Sequence, residues 1–503
     1  MKNSSKDNRG MDWFDTRDVS AVLKKKSARG GVVTIGCQAG KFFLTIASTF
    51  ILARLLTPED YGLVAMVGSF IIFASLFKDI GLSVATVQYE KINHEQISSL
   101  FWINVAISVG LALVLCAISP VIAYFYSEDR LVLVTMVSSV SFIFSGLTIQ
   151  HQALLRRKMM FPTLAGIETI SMFTGIFISL IIGYLTRSYW ALVASELICG
   201  CLTCLLVWHF VDWRPGRMKI TQEVRKMLKF GWELTGFNVV NYFARNADNV
   251  LIGYFNGAGA LGLYNKAYNL LLLPITQING PISSVAIPLL SRLQNDPKKY
   301  AEAYYRALNV IAYLTMPLMG LLIVMADEVI LILLGEQWKE VAVIFRVLAL
   351  TGLIQPLGNT VGWVYTSLGQ TDRFFRFGMI SSPIMVLSFV VGIQWGAIGV
   401  AACYAVVVYL LAWPMFWYAF RLSPIRCSKV AVVVARPITL TLLLVCVVGA
   451  LRILLPQTSP LLDLLKYLTM GVVTFGVAFA CWPAMRAELL SAWSLARDGF
   501  RSK

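Results

Sequence analysis

Two stretches decide how this chain folds: Gly31-Val32-Val33-Thr34-Ile35-Gly36-Cys37-Gln38-Ala39-Gly40-Lys41-Phe42-Phe43-Leu44-Thr45-Ile46-Ala47-Ser48 and, 200 positions on, Gly231-Trp232-Glu233-Leu234-Thr235-Gly236-Phe237-Asn238-Val239-Val240-Asn241-Tyr242-Phe243-Ala244-Arg245-Asn246-Ala247-Asp248. In the first, Thr34, Gln38, Lys41, Thr45 and Ser48 recur every three or four residues, which puts them on one face of a helix. In the second, Asn238, Asn241, Arg245 and Asp248 follow the same spacing, with Asn249 next to the last. Under the offset Gln38 falls on Asn238, Lys41 on Asn241, Thr45 on Arg245 and Ser48 on Asp248. The shift also matches Gly31 with Gly231, Gly36 with Gly236, Phe43 with Phe243, Gly62 with Gly262, Leu63 with Leu263 and Ser83 with Ser283. Such internal symmetry is the mark of a transporter assembled from repeated bundles.

Composition agrees with membrane helices. Of 503 residues, 57% are hydrophobic and 14% charged, where soluble domains carry roughly a quarter charged residues. That excludes a soluble enzyme and a disordered protein. The net charge of +16 is scattered between apolar runs of spanning length, so nucleic acid is excluded as a partner. With about 20 apolar residues needed per crossing, spans are expected near 29–53, 61–82, 97–125, 131–152, 161–185 and 188–210, then 230–255, 266–290, 303–326, 341–368, 374–393, 395–420, 430–451 and 464–483. This is an all-α polytopic membrane protein with about fourteen transmembrane helices. Lys and Arg gather in alternate loops, leaving only Arg54, Arg130, Arg187, Lys266, Lys339, Arg452 and Lys466 outside, which sets both termini in the cytoplasm. The organisation expected is a tail at 1–28, an N-lobe at 29–210, a basic linker at 211–229, a C-lobe at 230–420, two further helices within 421–483 and a tail at 484–503. Six spans separate the repeated helices, an even number, so the two copies run in the same direction and are related by an axis along the membrane normal.

A lysine or arginine at mid-membrane costs roughly 2.5–3.5 kcal/mol on insertion scales and therefore faces a bundle interior or a wet cavity. Lys41 and Arg245, with Lys78 second, are the candidate anion-binding cations of a central cavity, and Gln38, Thr45, Asn238, Asn241 and Asn249 are the candidate polar contacts. Local pairing of Arg245 with Asp248 and of Lys78 with Asp79 is the competing explanation. Asp248, Asp79, Glu168 and Glu196 are candidates for orienting the cations or coupling transport to protons or sodium, although hydroxyl partners would satisfy Glu168 and Glu196 equally well. The span carrying Pro274, Pro281 and Pro288 is expected to be kinked or broken. Cys199, Cys201 and Cys204 divide between opposite helix faces, and His94, His151 and His209 sit apart near span ends, so neither a metal nor a cofactor is expected. The absence of a large hydrophilic loop disfavours a glycan polymerase or ligase.

Several stretches carry a family likeness. Asn241 to Asp248, then Ile252-Gly253, then Leu261-Gly262-Leu263-Tyr264-Asn265-Lys266-Ala267-Tyr268 resemble the signature of the Wzx-type polysaccharide exporters of the MOP flippase superfamily. So do Arg54-Leu55-Leu56-Thr57-Pro58-Glu59-Asp60-Tyr61-Gly62, Asp79-Ile80-Gly81-Leu82, Pro288-Leu289-Leu290-Ser291-Arg292-Leu293-Gln294, Gly335-Glu336-Gln337-Trp338 and Leu368-Gly369-Gln370-Thr371-Asp372. The resemblance runs from about Ala28 to Arg421 and is nearest to the colanic-acid-exporter-like branch. It departs at Tyr254, where many relatives have a basic residue. The resemblance implies the MOP flippase fold, two six-helix lobes plus two C-terminal helices. It also implies alternating access that carries an undecaprenyl-pyrophosphate-linked oligosaccharide across the bacterial inner membrane, in company with lipid and polysaccharide polymerase machinery. A multidrug antiporter of the same superfamily is the alternative, against which the basic stripe argues.

Overall fold

Charge, glycine and proline mark where the helices stop. The computed structural model describes residues 13–14, 17–79, 81–89, 92–219, 221–483 and 485–488, and within its helices the side chains of 17–35, 226, 229–241 and 243–245 lie outside the described residues. Among the described residues every regular element is helical, and the chain divides into two units, Met1–Gly262 and Leu263–Lys503.

The first unit begins with α1 (Arg17–Leu55) and α2 (Pro58–Ser75). The start of α2 is dictated locally: Thr57 and Asp60 cap each other's backbone N–H groups at 2.9 and 3.2 Å, and Pro58 occupies the first turn, where its missing N–H costs nothing. The second expected span, 61–82, ends early, at Ser75. The charges of Lys78 and Asp79 and the left-handed Gly81 (φ 66°) interrupt it before a short α3 (Leu82–Gln88). There follow α4 (His94–Tyr126), α5 (Arg130–Arg157), α6 (Phe161–Thr186) and α7 (Trp190–Phe210). Of the expected basic linker, 211–219 is an extended strap fastened to the start of α4, whereas from Gln222 onward the chain is already helical. Trp213 donates to His94 Nδ1 at 3.1 Å, Trp102 donates to the Gly216 carbonyl at 2.8 Å, and the Gly216 N–H donates to Ser98 at 2.9 Å. At the other end of the unit Arg130 joins Glu59 and Glu128 at 2.5 and 2.7 Å, and this guanidinium holds the Glu128 carboxyl below the usual carboxylate range.

α8 (Gln222–Arg292) starts in the first unit and continues into the second. It contains the expected spans 230–255 and 266–290, and its non-helical dihedrals fall at Gly257 (φ 80°), not at Pro274, Pro281 or Pro288. This break falls in the connection between the two expected spans, where only glycine takes such a φ at no cost, and no non-helical dihedrals interrupt 266–290 at the prolines. In the second unit come α9 (Pro297–Val324), α10 (Ala326–Leu333), α11 (Val341–Thr351), α12 (Gln355–Asn359) and α13 (Val361–Ser367). They are followed by α14 (Thr371–Gly392), α15 (Gly396–Phe420), α16 (Cys427–Leu454) and α17 (Pro460–Cys481). The expected span 341–368 is broken, with Val341–Thr351 and Gln355–Ser367 bent by 46°. Among the described residues, 10 helical segments, or 11 with this bent pair, are long and apolar enough to cross a membrane. Two of them, Asn246–Arg292 with 47 residues and Thr371–Phe420 with 50, exceed the length of one crossing, so this tally and the expected fourteen count different things.

Candidate functional site

Lys41 lies two-thirds of the way along α1, on a face turned to α6. Its Nζ meets Glu168 Oε2 at 2.5 Å, with 16% of the lysine side chain and 37% of the glutamate side chain exposed. An isolated ammonium at this depth would be costly, and a carboxylate from a neighbouring helix removes the cost provided both groups keep good geometry. The two are 127 residues apart, so the pairing is a product of the bundle and not of either helix.

A second lysine lies nearby in sequence and charge. Lys78, after α2, is within electrostatic reach of Asp79 and of Glu196 on α7, and Glu196 also takes a hydrogen bond from Ser141 of α5. Cys199, one turn along α7 from Glu196, feels Glu196, Lys41 and Glu168 together, which gathers these ions in one part of the first unit. Asp79 has a local duty as well. It accepts the Ser83 N–H at 2.9 Å and the Ser83 hydroxyl, capping α3. The hydroxyls of Thr45 and Ser48 donate to carbonyls of their own helix, Lys41 at 2.8 Å and Thr45 at 2.9 Å, leaving their oxygens to accept. Gln38 is exposed on α1.

On α8, Asp248 is buried at 4% exposure and Asn249 donates its N–H to the Asp248 carboxylate at 2.8 Å. The Asn249 side-chain oxygen is buried without a hydrogen-bond partner among the described residues. The side chains of Asn238, Asn241 and Arg245 lie outside the described residues. Tyr242, next to Asn241, is buried, donates its hydroxyl to the Ser69 carbonyl and packs against Phe73 at 5.5 Å. Tyr254 packs on Phe125 with ring centroids 4.6 Å apart.

The repeat has a physical counterpart inside the first unit. A Cβ on Gly62 would lie 1.7 Å from the Ala258 carbonyl oxygen, and a Cβ on Gly262 would lie 1.8 Å from that of Pro58. Positions 58 and 258, like 62 and 262, are equivalent under the offset of 200. The contact is therefore reciprocal, as an isologous contact about a two-fold axis requires, and glycine at both positions lets the backbones meet.

Sequence reasoning missed Ser141, Tyr242 and the pairing of Lys41 with Glu168. A signal existed for the last, since an intramembrane carboxylate and an intramembrane lysine each need a partner. Among the described residues no group of three His, Cys, Asp or Glu side chains converges as a metal site.

Helices long and apolar enough to cross a membrane define a multi-pass membrane protein. Its fold is that of the lipid II flippase MurJ in an inward closed conformation, matched over 89% of this chain and 99% of that one with a TM-score of 0.70 at 15% identity. The sequence model of the polysaccharide biosynthesis protein family (Polysacc_synt_3) matches residues 51–343, and the chain belongs to that family. Among its relatives are the lipopolysaccharide biosynthesis protein WzxC of Escherichia coli K12, 25% identical over 75% of this chain and 76% of that one, and the teichuronic acid biosynthesis protein TuaB of Bacillus subtilis 168, 28% identical over 67% and 70%.

Proposed function

We propose that this protein is a transporter, not an enzyme, and that it flips a lipid-linked oligosaccharide, carried on undecaprenyl pyrophosphate, from the cytoplasmic to the periplasmic leaflet of a bacterial inner membrane. The observation that carries the reading is the set of ionisable groups drawn together in the first unit, Lys41 against Glu168 and Lys78 near Glu196, in a chain of the polysaccharide biosynthesis family. The names of its relatives tie them to lipopolysaccharide and teichuronic acid, and a structural neighbour is named a lipid II flippase. A pyrophosphate needs positive charge to leave water, sugars need amide and hydroxyl groups, and the prenyl tail stays in lipid.

In this reading Lys41 and Arg245 contact the pyrophosphate, with Lys78 second. Arg can hold phosphate at two points whereas Lys acts as a point charge. Gln38, Thr45, Asn238, Asn241 and Asn249 face the sugars, Thr45 as an acceptor because its proton is committed. Lobes at 29–210 and 230–420 alternate access, the helices within 421–483 are additions, and both termini are cytoplasmic. Glu168, Glu196, Asp248 and Asp79 orient the cations or couple transport to protons or sodium, and polysaccharide polymerase machinery receives the product. The test is transfer of a purified undecaprenyl-pyrophosphate-linked oligosaccharide between proteoliposome leaflets. Acceleration by the native chain that is lost in Arg245→Ala supports the reading. No acceleration with lipid-linked sugars from several pathways, together with export of organic cations, replaces it with a multidrug antiporter.

A further inference from the structure

Lys41 already holds an anion. Glu168 comes from another helix to 2.5 Å of its ammonium and offers what an anionic headgroup would offer, one negative charge on a pair of oxygens. The lysine is the better buried of the two and the carboxylate the less enclosed, at 16% and 37% exposure, so the carboxylate is the member with room to leave.

Resting on the flippase reading above, we infer that Glu168 is a specificity-determining residue: its carboxylate occupies the Lys41 anion site and yields it to a doubly charged pyrophosphate diester but not to a singly charged phosphodiester. The physical basis is competition. A membrane surrounds the protein with phosphodiester headgroups of one negative charge, and an unmasked lysine would bind them. A tethered carboxylate of equal charge holds the site against them through its high effective concentration. Attraction to the ammonium scales with the product of charges, so a second negative charge on the ligand tips the exchange. Discrimination built by a competitor inside the protein rejects the wrong ligand without weakening the right one by the same factor.

The experiment is equilibrium binding to the full chain in neutral detergent, with three probes: a polyprenyl-pyrophosphate-linked disaccharide, the same sugar on a polyprenyl monophosphate, and phosphatidylglycerol. The native chain prefers the first by about tenfold or more, the order expected when one added unit charge acts at a few ångströms. Glu168→Gln raises affinity for the two singly charged probes more than for the first, so the ratio falls at least severalfold. Glu168→Thr, smaller and neutral, does the same should the glutamine variant fold poorly, and Glu168→Asp keeps the native ratio. Lys41→Gln removes the preference, and Lys41→Gln with Glu168→Gln behaves as Lys41→Gln alone. An unchanged ratio in folded Glu168→Gln and Glu168→Thr overturns the inference and leaves the flippase reading standing. Weakening of all three probes by the same factor also overturns it, because Glu168 then only positions Lys41. A native chain that binds neither glycolipid removes the flippase reading and the inference with it.

Discussion

The ion network around Arg452 in one unit and the Lys41–Glu168 pair in the other hold their charges in different ways. In Leu263–Lys503 the ions interlock at helix ends. Arg452 of α16 reaches the Val324 carbonyl, Asp327 and, at 3.2 Å, Glu328, while Asp327 also takes Arg346 of α11. Asp463 at the start of α17 accepts from Thr458 N–H at 3.0 Å and from Lys466 at 2.6 Å. In Met1–Gly262 Lys41 has one ion-pair partner among the described residues, and that partner is more than a third exposed. Partner number separates the two cases. A guanidinium with three acceptors cannot exchange one without stranding the others, so the network clamps helices together. An ammonium with one reachable carboxylate can exchange it for a ligand.

The strongest way to break this comparison is Arg452→Ala. It strands Glu328, which is 6% exposed, and should cost about 3 kcal/mol, as removal of one partner of a buried pair does. A large drop in melting temperature and yield is expected, with transfer per folded molecule near native. Native-like melting with lost transfer would make the network functional and erase the distinction. Next comes the reciprocal glycine contact. Gly62→Ala and Gly262→Ala each press a methyl into a backbone carbonyl and should destabilise by roughly 1–3 kcal/mol, by similar amounts in thermal unfolding. A large inequality between them would deny the equivalence of the two positions.

Thr45→Val sharpens the comparison from the other side. The hydroxyl donates within its own helix, so stability should change by less than about 0.5 kcal/mol, and any loss of transfer reports contact with the ligand. The smallest effect is on pH. Arg130 depresses the Glu128 carboxyl, so its modest stabilisation is complete above the ordinary carboxylate pKa. It is lost as pH falls through the lowered one. A slight fall in melting temperature on acidification that Glu128→Gln abolishes is expected, and an identical acid profile in the variant counts against it.

Much of this was legible from local pattern. The spacing of Gln38, Lys41 and Thr45 marks a polar helix face, Thr57-Pro58-Glu59-Asp60 is a helix start whose cap the structure contains, and the match of Gly62 with Gly262 lies on a real contact. What was not legible depends on tertiary placement. Nothing within α1 names Glu168 as the partner of Lys41. Three prolines in α8 suggest a break because each removes a hydrogen-bond donor, yet the helix runs through them, and the non-helical dihedrals fall at Gly257, between the two expected spans. Asp79 reads as a partner of Lys78 or an orienting or coupling carboxylate, and only the structure shows Ser83 folded back onto it.

The most direct test is leaflet-to-leaflet transfer of an undecaprenyl-pyrophosphate-linked oligosaccharide by native protein, Lys41→Gln and Arg452→Lys, each normalised to folded protein in proteoliposomes. Lys41→Gln is expected to melt within a few degrees of native and to lose at least about tenfold in transfer, the size of one lost charge contact to phosphate, while Arg452→Lys retains it. Transfer at the native rate by Lys41→Gln would contradict the assignment of Lys41 as an exchangeable anion site.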